Sequence, residues 1–149
     1  MTGQVIDPQA PAQSGQGSTK AIQLTATLVG GRIQITGAGD ADLPKGSSQQ
    51  RFEFELDDQT GLNVRFKEVN NGMLDVEDNS QACPPSSGMN TTQIVGVTRM
   101  SDTRAGFTDK NDNKNGPMPI SYQLNFECDN PSKHPIRYDP IIINGGQTI

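Results

Sequence analysis

A chain of 149 residues is the length of one domain, and roughly two-thirds of its unfolded surface can be buried at this size, so a sizeable core is possible. Apolar residues make up 32% of it, lean but above the composition of disordered segments, and 16 glycines with 10 prolines suit short strands joined by turns. The net charge of −5 and the singly scattered Lys and Arg residues argue against a nucleic-acid partner, and no apolar run reaches the ~18–20 residues of a membrane-spanning helix.

Residues 1–19 hold Gly, Pro, Gln and Ser with one charged group, Asp7. They carry too little apolar surface to offset chain entropy, so a flexible polar arm is expected there, with the folded domain over 20–149. The arm has neither a basic stretch nor an apolar core of the secretory type, which favours the cytoplasm without deciding the compartment. Strand alternation begins at once in the domain. Ile22, Leu24, Ala26 and Leu28 alternate with polar residues, Gly30-Gly31 follows, and 32–36 alternates again. Two glycines between alternating runs predict a hairpin with positive φ at both central positions.

A polar loop over 37–50 leads to a third strand at Phe52, Phe54 and Leu56. A turn over 57–61 precedes a fourth strand at Leu62, Val64 and Phe66, and a short fifth at Met73, Leu74 and Val76. The stretch 78–91, with Cys83-Pro84-Pro85 at its centre, reads as a long loop. Ile94, Val95 and Val97 mark a further strand, and 102–115 is polar apart from Ala105 and Phe107. The clearest strand runs over 120–128, where Ile120, Tyr122, Leu124, Phe126 and Cys128 share one face. After a turn-rich segment the chain closes with Ile136-Arg137-Tyr138-Asp139-Pro140-Ile141-Ile142-Ile143-Asn144. Helical periodicity is absent. About seven or eight short strands with frequent turns predict a single all-β antiparallel β-sandwich, immunoglobulin-like in broad architecture, with a closed barrel as the alternative.

Several segments carry oxygen, nitrogen or sulfur ligands. Asp109, Asn111 and Asn113 have the spacing of the first three ligands of a calcium loop, within Asp109-Lys110-Asn111-Asp112-Asn113-Lys114-Asn115-Gly116. The match then fails: Lys114 stands where the loop needs Gly and Ile120 where it needs Glu, so a polar turn is the ordinary reading. Glu53, Glu55, Asp57, Asp58, Asp75, Glu77 and Asp78 form an acidic zone that reads as a solvated face. His134, the one histidine, lies in a loop with no marked nucleophile nearby in sequence. One histidine is too few for a blue-copper site, and no paired Cys or His spacing suits zinc. Cys83 and Cys128 are expected to be free thiols.

The C-terminal third resembles a group of small bacterial proteins, the DP-EP family. The likeness lies in Phe107-Thr108-Asp109 with its Asn-rich turn, the strand holding Tyr122, and Tyr138-Asp139-Pro140-Ile141-Ile142-Ile143-Asn144 near the end. The resemblance implies a compact all-β domain with a terminal Asp-Pro-x-Ile strand, and it carries no activity or cofactor with it. Proline at a strand start or edge makes physical sense, since it lacks a donor and fixes φ. The Ile run puts apolar groups on both faces, so it is expected between layers or against another subunit. The expectation is therefore a non-catalytic structural or protein-interaction module without a cofactor, self-assembling in one version, with Tyr138, Ile141 and Ile143 as partner contacts. The alternative is a carbohydrate- or calcium-binding module using Asp109, Asn111 and Asn113.

Overall fold

A computed structural model describes residues 18–147. Most of the expected arm at 1–19 lies outside the described residues. The regular structure begins at Thr19, one residue before the expected domain start.

Twelve strands build two packed sheets: β1 (Thr19–Val29), β2 (Arg32–Gly37), β3 (Ala41–Leu43), β4 (Gln50–Asp58), β5 (Arg65–Phe66), β6 (Leu74–Asp78), β7 (Met89–Asn90), β8 (Ile94–Ser101), β9 (Arg104–Asp109), β10 (Met118–Glu127), β11 (Ile136–Tyr138) and β12 (Ile141–Asn144). One sheet has the order β2-β1-β4-β9-β8. The other runs β3-β12-β10-β6-β7, with β11 and β5 also paired to β10. The sandwich is as expected, but its sheets are mixed rather than antiparallel throughout. β1 pairs with β4, β3 with β12, and β6 with β7 in parallel. Crossovers explain this. After the β1–β2 hairpin the chain crosses to the opposite sheet at β3, then returns as β4 beside β1 running the same way, as parallel neighbours require.

The hairpin forms as its glycines predict. Gly30 and Gly31 have φ of 59° and 80°, the left-handed region in which a side chain is strained. Strands of both sheets present one apolar face to the interior, so Leu24, Phe52, Phe54 and Phe107 of one sheet meet Ile120, Tyr122, Leu124 and Phe126 of the other. The centre is aromatic: the ring of Phe107 lies 5.5 Å from Phe52 and from Phe54, and 5.2 Å edge-on from Tyr122. Such pairs add about 0.5–1.5 kcal/mol each beyond the apolar area they bury. The Tyr122 hydroxyl, fully enclosed, donates to the Gly39 carbonyl at 2.9 Å, so its burial leaves no donor unmet.

The long loop after β6 is held down by carboxylates. Asp75 accepts from the Gly88 N–H, Glu77 from the Ser86 N–H, and Asp78 from the Thr91 hydroxyl and the Thr92 N–H. Three of the seven residues of the expected acidic zone thus fasten loop backbone. Glu53 pairs with Arg51 at 3.6 Å on the outer face. Burial alone would push the Asp58 carboxyl up, but hydrogen bonds from Thr60, Val64 and Asn63 hold it below the usual range.

Candidate functional site

β9 ends by turning a carboxylate inward. Ala105, Phe107 and Asp109 share the interior face, so period two delivers the Asp109 side chain to the end of the core, fully enclosed. The last residue of β12 meets it there. Asn144 shares the inward face with Ile142 and is also fully enclosed. Its Nδ2 donates to Asp109 Oδ1 at 2.9 Å and to Gln93 Oε1 at 3.3 Å. Residues from both sheets therefore meet in one polar plug at this end of the sandwich.

Of the three expected calcium ligands, the structure places two with open oxygens and commits the third elsewhere. Asn111, at φ 51°, donates through Nδ2 to the Ser47 hydroxyl at 2.9 Å, and its Oδ1 accepts from the Gly146 N–H at 2.8 Å. Asn111 is a fastener. Asn113 commits only its Nδ2, to the Gly116 carbonyl at 2.8 Å. Among the described residues no donor reaches Asp109 Oδ2, Asn113 Oδ1 or Asn144 Oδ1, all buried. Burial pushes the Asp109 carboxyl up to about 6, against hydrogen bonds from Asn144 and Asn111, and the charges of Asp78 and Asp112 add to the rise. Asn144 and Gln93 were not singled out by sequence reasoning. The signal for Asn144 was its place two residues after Ile142, on the same face.

A Cβ at Gly146 would collide with the Asn113 carbonyl, and φ at Gly146 is 79°, so glycine is required where the C-terminal segment crosses this loop. The Gln147 N–H closes the crossing onto the Asn113 carbonyl at 2.8 Å.

The expected partner contacts divide. Ile141 and Ile143 lie half-buried on the outer face of β12, while Ile142 fills the core. β12 has no open edge beside Ile142 and Ile143, since β10 and β3 pair with it there on either side. The two isoleucines line a shallow groove with Ala41, Lys20, Asp40 and Asp42. Tyr138 is not in that groove. Its hydroxyl accepts from the Gly39 N–H at 2.6 Å, and its ring packs on the core.

His134 Nε2 accepts from the Cys128 N–H at 2.9 Å, and the Cys128 thiol donates to the Asn130 carbonyl at 3.2 Å. The imidazole thus serves the backbone of the turn after β10 and holds no thiol or hydroxyl. Both cysteines are free, Cys83 exposed and Cys128 buried. All five phenylalanines and Tyr122 are buried, so the face on which a sugar ring would stack is missing from them. Among the described residues no three His, Cys, Asp or Glu side chains gather as a metal cluster, and no helix is long and apolar enough to cross a membrane.

No protein-family model matches the chain, and no curated protein matches it.

Proposed function

We propose that this chain is a non-catalytic interaction module that assembles with a second copy of itself through the groove over β3 and β12. The observation that carries the reading is the make-up of that groove: apolar Ile141, Ile143 and Ala41 together with one basic side chain, Lys20, and two acidic ones, Asp40 and Asp42. A two-fold interface sets one patch against its own copy, so a patch carrying both signs of charge can pair with itself. Lys20 of one copy then faces Asp42 of the other. Neither side chain has an ion-pair partner within its own chain among the described residues. β3 is only three residues long and stands at the edge of its sheet, so the interface rests on side chains rather than on extending the sheet.

The non-catalytic part draws support from His134, which serves a backbone N–H, and from the carboxylates of β6, each tied to the loop beside it. A charge swap tests the interface. Lys20→Asp should give a monomer by light scattering, and Lys20→Asp with Asp42→Lys should restore the dimer. If the double variant stays as dissociated as the single one, the proposed pairing is wrong.

A further inference from the structure

The geometry points to a binding site for a hard divalent cation of the calcium class at the end of the sandwich, with Asp109, Asn113 and Asn144 as its protein ligands. Three buried oxygens, Asp109 Oδ2, Asn113 Oδ1 and Asn144 Oδ1, receive no hydrogen bond from any donor among the described residues. Asp109 and Asn144 are fully enclosed and Asn113 is 8% exposed. Buried acceptors are nearly always satisfied, so three at one end of the sandwich call for an occupant that supplies positive charge or donors.

Asp109 and Asn144 are in direct contact. Asn144 Nδ2 binds Asp109 Oδ1 at 2.9 Å, which sets the two head groups side by side. Asn113 is held against the chain just beyond Asn144, by the Gln147 N–H on its carbonyl and by close packing against Gly146. The amide orientations are fixed by their donor ends. Nδ2 of Asn144 serves Asp109 and Gln93, and Nδ2 of Asn113 serves the Gly116 carbonyl. Turning either amide over would break these bonds and set oxygen against oxygen, so both free oxygens stay free.

The donor chemistry selects the ion. One carboxylate and two amide oxygens are hard ligands of the kind calcium accepts in an irregular shell, completed by water. Magnesium demands a stricter octahedron and gives up its water reluctantly. Sulfur and imidazole, which zinc and copper prefer, are absent from the three. No cationic side chain pairs with Asp109 among the described residues, and Asp78 and Asp112 add negative potential there. Of the three ligands, Asn113 borders a surface depression together with Gln93. Lys114 borders it and only one ligand is charged, so the affinity expected is weak, roughly 10⁻⁴–10⁻³ M.

The test uses the full chain, stripped with a chelator and then given calcium chloride or magnesium chloride at millimolar concentration near neutral pH. Calcium should raise the melting temperature of the wild type by a few degrees, with magnesium giving a smaller shift. Asp109→Asn should fold and melt at a temperature that calcium does not move. Asn113→Ala should bind calcium roughly tenfold more weakly by titration calorimetry. A wild type that calcium leaves unmoved overturns the site, as does an equal rise in Asp109→Asn, which would place the ion elsewhere. An equal shift from magnesium overturns the calcium class. Unaltered affinity in Asn113→Ala overturns the ligand set.

Discussion

Asp109 shows how a single residue can hold opposing demands. Its strand position sends it into the core, and the core disfavours its charge. Because burial raises its folded pKa to about 6, above the ordinary value near 3.9, its contribution to stability is fully present below the unfolded pKa and is lost as pH rises through about 6. The size of that loss is on the order of 3 kcal/mol, about two pKa units. In chelator, Asp109→Asn should therefore be more stable than the wild type at pH 7.5, and the gap should close towards pH 4. Urea unfolding of both chains across that range measures it, and a gap that does not change with pH contradicts it. Gly39 is a second residue-scale constraint. A Cβ there would lie 2.6 Å from the Tyr122 hydroxyl and 2.8 Å from both the Tyr138 hydroxyl and Pro140 Cγ. Gly39→Ala should cost about 1–3 kcal/mol in denaturant unfolding, the range for overpacking a filled site.

At the scale of elements, legibility followed how strongly a segment alternates. β10 was readable because five apolar side chains in a row of alternation leave one choice of face, and the β1–β2 hairpin because its glycines adopt the positive φ that their turn needs. In the hairpin, Gly31→Ala meets no close atom, so its cost of about 1–2 kcal/mol should be conformational and confined to faster hydrogen exchange over 28–33. β9 was not readable as a strand. Its inward positions are Ala105, Phe107 and Asp109, and a carboxylate on the core face breaks the apolar pattern. The residue that hid the strand is the one that builds the cation site. Asn111 was singled out by spacing alone, but spacing says nothing of where a side chain's hydrogen bonds go, and Gly146 and Ser47 claim it. β3 and β7, of three and two residues, are too short to show a period, and alternation never states a strand's neighbour or direction. That is why the three parallel pairings were out of reach.

For the whole molecule, the two proposed tasks separate to different places. One end of the sandwich is closed by a polar plug joining β9 to the segment after β12, which suits a site that fastens the two sheets. The outer face of β12 carries the half-buried isoleucines of the groove on which the proposed assembly depends. Calcium at the plug should change stability without changing the mass in solution, and a substitution in the groove should do the reverse. The most direct measurement of the central proposal is the mass of the chain by light scattering, from micromolar to near-millimolar concentration. The wild type should be a dimer at the upper end, and Ile143→Lys a monomer throughout. A wild type that remains a monomer at every concentration would contradict self-assembly.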